Sequence, residues 1–496
     1  MGSDPVVVQG VPVQSGGGGG FAGALNSGGG GNHTATATPV APMEVSGIRN
    51  YEDMGSKQEV RCRDPVFAVL FYATIAAILI VAIAYGPDAL DYNDDDESDN
   101  DYEGYVISSV IVAFLSFFVS AGGVAVLMCI PETLIKVSLL FTVVIAGLWM
   151  VLSFATGNIG AGILGIIFFA LTVCYVYCVW SRIPFATINL VTAMTAVRQN
   201  LGTIGWAYLI TFIAAGWSIC WVIAFVGVFD KTHECDENGN NCSNPSYGLL
   251  FVLFLAFFFG QQVLQNTVHV ITSGVVGHWW FEPAEAQGFC SAAVNGSFIR
   301  ATTTSFGSIC FGSFVVAVIR ALETLANAAR SNDDGGIGVC IAECILSCLA
   351  AIVEYFNKWA FVYVGIYGYG YCEAGKNVFT LFKNRGWEAI IADDLVANTL
   401  GLVGLFVGAI MGCIGLILDA TTDLYDDAGG DSAAIAFILG LIIGLFIASI
   451  ALSTFGSGVN AVIVLFAEAP ADFQQNHPDL SNRMRQIWAE VYPGSV

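Results

Sequence analysis

VFAVLFYATIAAILIVAIAY, residues 66–85, is a run of twenty residues without one charge. As a helix it rises about 30 Å, which matches the hydrocarbon core of a bilayer. Pro65 and Pro87 bound it, and Arg61 and Arg63 stand just before it. Similar runs recur through the 496 residues, of which 56% are hydrophobic and only 11% charged. A soluble domain carries roughly 25% charge. A transmembrane barrel would show short alternating strands, whereas these runs are continuous. The fold class expected is therefore all-α, a polytopic transmembrane helix bundle.

Working outward, the next loop, residues 88–103, holds nine acids and no base. The positive-inside rule then places the amino-terminal tail in the cytoplasm and this loop outside. Residues 1–60 are rich in Gly, Pro, Ser and Thr and read as a disordered cytoplasmic tail. Its glycines are not followed by Gly-Lys-Ser/Thr, so they form no phosphate loop. The tail has no apolar signal core, and Val6 stands where a myristoylation signal needs Ser or Thr.

Further spans are expected at about 105–130, 137–156, 159–180, 203–229, 247–276 and 303–325. A tight link, 131–136, joins the second to the third, and Arg182 and Arg198 bracket an interfacial helix. The outside loop 230–246 contains Cys235, Cys242 and the sequon Asn241-Cys242-Ser243. A Cys235–Cys242 disulfide and a glycan on Asn241 both suit an outside face. Two free thiols, or a glycan without the bridge, are the competing readings.

Residues 337–356 are apolar but carry Glu343 and Glu354, so they read as a span, a re-entrant segment or an interfacial one. The stretch 357–385, NKWAFVYVGIYGYGYCEAGKNVFTLFKNR, reads as the eighth span. The ninth, about 395–418, has Gly404, Gly408 and Gly412, and the tenth, about 433–466, has Gly440 and Gly444. Such glycines let helices pack closely in lipid. Basic ends at 383–385 and 483–485 favour ten spans with both termini cytoplasmic. The expected domains are the tail 1–60, a transmembrane unit 61–470 and a carboxyl-terminal cytoplasmic tail 471–496.

A formal net charge of −23 argues against nucleic-acid partners. HExxH, Gly-x-Ser-x-Gly and Walker patterns are missing, and no cofactor-binding motif is present, so the chain does not read as an enzyme. Cys340, Cys344 and Cys348 form a stripe without a His or a fourth Cys, which suits packing or lipid contact better than metal. What remains is secondary transport, a channel or a structural role.

Trp359, Tyr363, Tyr367 and Tyr371 recur every four residues, so on one helix their rings drift slowly round one face. Rings beside an acid suit a quaternary ammonium, which aromatic faces attract; plain helix packing is the alternative. Trp217 and Trp221, four apart and deep in the fifth span, complete a candidate cage with Tyr363 and Tyr367. Gln261, Gln262, Gln265 and Asn266 lie at membrane depth, where amides need partners in the bundle or a wet cavity. Glu373 reads as the intramembrane carboxylate, or else as a plain partner of Lys376. Three acidic outer loops would concentrate cations.

Three segments together resemble the choline transporter-like family, closest to its fungal and protist branch. They are Ser305-Phe306-Gly307-Ser308-Ile309-Cys310-Phe311-Gly312-Ser313, then Ala360…Ile366-Tyr367-Gly368…Ala374-Gly375-Lys376-Asn377, and finally Phe466-Ala467-Glu468…His477-Pro478. The resemblance runs over roughly residues 60–490. It implies about ten spans, cytoplasmic termini and choline uptake at the plasma membrane or organelles, with ethanolamine and proton exchange attributed to relatives. In that reading Trp217, Trp221, Tyr363 and Tyr367 hold the ammonium, Gln261 and Gln265 meet the hydroxyl, and Glu373 balances charge or carries a proton. These site residues come from the chain itself, not from a family motif. The rivals are a cation channel and a structural or lipid-organising membrane protein.

Overall fold

The computed structural model describes residues 55–90, 103–232, 247–331, 337–386, 395–422 and 432–492. Among them all regular structure is helical. In chain order the helices are α1 (Pro65–Leu90), α2 (Glu103–Cys129), α3 (Pro131–Ala155), α4 (Ile159–Val179), α5 (Ile183–Gln199), α6 (Gly202–Thr232), α7 (Tyr247–Phe281) and α8 (Ala292–Thr302). They continue with α9 (Phe306–Ser331), α10 (Ile337–Tyr367), α11 (Tyr371–Arg385), α12 (Leu395–Thr421), α13 (Ser432–Glu468), α14 (Pro470–Asn476) and α15 (Pro478–Val491). Ten segments of the described residues are long and apolar enough to cross a membrane. The chain is thus a polytopic transmembrane helix bundle. Cys235, Cys242 and Asn241 lie outside the described residues, as does most of each acidic loop expected on the outside.

The count of ten agrees with the sequence, but the eighth span does not. It is Cys340–Tyr367, not 357–385. No breaker interrupts residues 337–367, so the undecided segment and the first half of the tyrosine stretch form one helix. The break comes at Gly368, whose φ of +79° favours glycine. Beyond it α11 is a separate amphipathic helix, closed at Gly386 by a left-handed C-cap whose N–H donates to Lys383 O at 3.1 Å. Tyr371 therefore leaves the ring ladder of Trp359, Tyr363 and Tyr367.

Two smaller differences have similarly local causes. Pro131 occupies the first turn of α3, where its missing N–H costs nothing, so α3 starts within the expected link. The expected interfacial helix, α5, is largely buried. Its Phe185 ring lies 4.7 Å from the Trp488 ring of α15, so the carboxyl-terminal helices cover it.

The glycines of α12 and α13 face one another as the sequence suggests. A Cβ on Gly440 would run into the carbonyl of Met411, and one on Gly444 would stand 3.1 Å from Gly408 Cα. Backbone thus meets backbone along this seam. The amino-terminal approach is also held. Gln58 N donates to Tyr367 O at 2.9 Å, and Asp64 Oδ2 accepts from Ser308 Oγ at 2.7 Å and Tyr371 N at 3.1 Å.

Candidate functional site

Three spans carry polar residues at helical spacing and turn them toward one another. On α7 they are Gln261, Gln265, Asn266 and His269. On α10 they are Glu354, Asn357 and Lys358. On α13 they are Ser449, Ser453, Ser457 and Asn460. Steps of three or four place each set on one helix face. Polar groups at membrane depth line water or pair with one another, because lipid satisfies neither donor nor acceptor.

Both outcomes occur. A cavity of about 290 Å³ is walled by Gln265, Asn266, His269, Glu354, Lys358 and Asn460, among others. A second, of about 300 Å³, shares Gln265 and Ser453 with it and adds Gln261 and Ser218. A third, of about 380 Å³, lies between α12 and α13 and shares Lys358, Ser453, Ser457 and Asn460. Each is near the lower limit of small-molecule sites.

The walls are braced by hydrogen bonds. His269 Nε2 donates to Lys358 O at 3.0 Å, which leaves Nδ1 to accept from Ser457 Oγ at 2.8 Å. This bond pair defines the neutral imidazole, with its tautomer inferred from its partners. Asn266 Nδ2 donates to Ser313 Oγ at 3.0 Å, and Asn357 Oδ1 accepts from the Tyr371 hydroxyl at 2.5 Å. Gln261 Nε2 is taken up by Ser218 Oγ at 2.6 Å. Gln265 is exposed to the hollow, and its amide makes no side-chain hydrogen bond among the described residues.

Charge in the site is concentrated at Glu354. Arg320 of α9 donates to Glu354 Oε1 from Nε and Nη2, and to Glu323 Oε2 from Nη1 at 2.9 Å. Among the described residues no hydrogen bond engages Glu354 Oε2, and the side chain is 39% exposed. Arg320 thus holds the carboxylate through one oxygen, and the side chain is part of the cavity wall. The Lys358 ammonium, on the wall of the same cavity, lies 5.2 Å from the Trp359 ring centroid, a cation–π contact.

The sequence-based cage is not assembled. Trp217 and Trp221 pack with Ile78, Leu253 and Ala256, and their indole N–H groups donate to Phe257 O at 3.3 Å and Leu253 O at 2.8 Å. They pin α6 to α7. Tyr363 and Tyr367 belong to a different core, beside Tyr369 and Glu468. The three tyrosine rings have centroids 5.2–6.3 Å apart, so they touch one another and leave no room for an ammonium between them. Glu373 occupies the first turn of α11, outside the ten segments of the described residues that are long and apolar enough to cross a membrane. Of the seven residues, Gln261 and Gln265 line the central hollows.

Sequence reading missed Glu354, Lys358, Ser453, Ser457 and Asn460 as a group. The signal was present as Ser449, Ser453 and Ser457 at four-residue steps inside an apolar run. Glu354 was visible too, but it counted against a span instead of marking the inward face of one.

Taken together, these features define a multi-pass α-helical membrane protein with polar hollows between its spans, one of them lined by Glu354 and Lys358. The chain belongs to the choline transporter family: residues 163–471 match the family described as plasma-membrane choline transporter. Among its relatives, Protein PNS1 of Mycosarcoma maydis is 29% identical over 457 residues, covering 87% of this chain and 84% of that protein. Protein pns1 of Aspergillus fumigatus is 31% identical over 347 residues, 66% of this chain and 64% of that protein. Protein PNS1 of Gibberella zeae is 30% identical over 348 residues, 66% and 63% respectively, so the chain spans just under two thirds of these last two.

Proposed function

We propose that this protein is a secondary transporter that carries choline, or a closely related small organic cation, across the plasma membrane. The observation that carries the reading is the Glu354 carboxylate, which lines a polar cavity and is held by Arg320 through one oxygen. A quaternary ammonium donates no hydrogen bond, so it needs charge nearby more than it needs acceptors. At about 4 Å and an effective dielectric near 20, a carboxylate attracts it by about 4 kcal/mol. The exposed amide of Gln265 and the hydroxyl of Ser453 then suit the hydroxyl end of choline. The cavity lies between α7, α10 and α13, and the glycine seam of α12 against α13 lets one of these helices slide.

Uptake of radiolabelled choline by cells expressing the chain tests the reading. Saturable uptake, competed by unlabelled choline and unaccompanied by large ohmic current, is the expected result. Ohmic current without saturation would point to a channel, and no choline-dependent flux at all would discard the proposal.

A further inference from the structure

The most spacious hollow beside the site is not polar. It measures about 740 Å³ and lies among α2, α6 and α13, walled by Val110, Phe117, Tyr208, Phe212 and Ile442. Phe212 is 68% exposed and Ile442 56%, on helices that cross the membrane, so this groove faces lipid. Hydrocarbon is what covers such a surface in a bilayer.

Its position distinguishes it from an ordinary lipid-facing groove. Thr211 and Ala215 of α6 and Phe446 and Ile450 of α13 wall both this groove and the 300 Å³ hollow of Gln261 and Gln265. That hollow in turn shares Gln265, Val268 and Ser453 with the cavity of Glu354. Apolar groove, helix seam and the polar cavity of Glu354 therefore stand in series. Phe446, the bulkiest side chain of the seam, is 49% exposed and is no part of the buried core.

A ligand that matches this series has a hydrocarbon chain at one end and an ammonium at the other. Resting on the reading of the centre as an organic-cation site, we propose that the α6–α13 seam is a lateral portal for a bilayer-derived, single-chain amphiphile with a quaternary ammonium head. The head sits by Gln265 and Glu354, and the chain lies in the groove between α2, α6 and α13. The free cation and the amphiphile then share one head site and differ in their route to it.

The test uses the full chain in nanodiscs and the displacement of radiolabelled choline. The probes are tetramethylammonium, hexyltrimethylammonium and decyltrimethylammonium below its micelle concentration, with decyl maltoside as a chain lacking the ammonium. Decyltrimethylammonium is expected to displace choline at a concentration at least tenfold lower than tetramethylammonium. Ile219→Trp on α6 and Ile442→Trp on α13, which wall the groove but not the hollow of Gln265, each reduce that advantage below threefold and leave tetramethylammonium unchanged. Gel filtration identifies a variant that fails to fold, and the other then carries the test. Absence of a chain-length advantage, its survival in the folded variants, or an equal effect of decyl maltoside overturns the proposal. If labelled choline does not bind, thermal shift replaces displacement. A shift that grows with chain length and is lost in the variants supports the amphiphile and discards choline, whereas no shift with any ammonium overturns both readings.

Discussion

Arg320 and Glu354 meet through one carboxylate oxygen: Nε and Nη2 stand 3.1 and 2.7 Å from Oε1. Both side chains are about a third exposed, so solvent screens the pair and its contribution to stability is about 1 kcal/mol. Its consequence for the proposed binding is expected to be larger, because Glu354 is the one carboxylate among the residues that line the central cavity. Glu354→Gln is therefore expected to lower choline uptake at least tenfold and to shift the melting temperature of the purified protein only slightly. Unchanged uptake in a normally expressed variant would remove Glu354 from the site.

Gln265 offers an amide to the same cavity, with its side chain exposed there. A hydrogen bond of this kind contributes about 1 kcal/mol, or about fivefold in affinity. Gln265→Leu should weaken choline by that factor and leave tetramethylammonium, which has no hydroxyl, nearly unaffected. Equal loss for both cations in competition binding would show that Gln265 does not read the hydroxyl.

Trp221 donates to Leu253 O at 2.8 Å and stacks on Phe225 with centroids 5.0 Å apart. It is a clamp between α6 and α7, not a wall of the cavity. Trp221→Phe should reduce stability by about 1 kcal/mol, through the lost hydrogen bond, and leave the choline KM unchanged. Thermal unfolding and uptake kinetics on the same preparation separate the two effects, and a raised KM would return Trp221 to the binding site.

Gly440 meets the Met411 carbonyl with no space for a side chain. Gly440→Val forces α12 and α13 apart along their glycine seam, at a cost of 1–3 kcal/mol or more. The expected result is loss of the monodisperse peak in fluorescence-detected gel filtration. A normal elution profile would show that the seam tolerates separation.

His477 closes the carboxyl-terminal helices onto α7. Its ring stacks on Trp279 with centroids 3.9 Å apart, and Nε2 donates to Trp279 O at 2.9 Å. Burial holds this imidazole below its ordinary value, with the bond to Trp279 O pulling weakly the other way. The unfolded segment, with an ordinary value near 6.5, takes up the proton more readily than the docked one. The stabilisation is thus complete above about pH 6.5 and declines as the pH falls through the docked group's lower value. Amide exchange across α14 and α15 should accelerate at pH 5 relative to pH 8 after correction for the intrinsic rate. His477→Phe should remove that difference, and a difference that persists would assign it to another group.

The amino-acid sequence alone determined that this is an all-helical membrane bundle, with ten segments among the described residues long and apolar enough to cross, because span length and hydropathy are properties of each segment by itself. The run at 66–85 needs no neighbour to be read, and the glycines at 408, 412, 440 and 444 announce a close helix pair without naming the partner. Only the tertiary structure decided which residues meet. In a span that is apolar all round, the sequence does not mark which side faces lipid and which faces protein, so rotation about the helix axis is fixed by packing. That rotation sent Trp217 and Trp221 to one core and Tyr363 and Tyr367 to another. It brought Gln265, Glu354 and Asn460, from three separate helices, round a single hollow. The break at Gly368 likewise moved Glu373 out of the membrane-crossing segment, since one left-handed backbone angle ends a helix that periodicity alone would have continued.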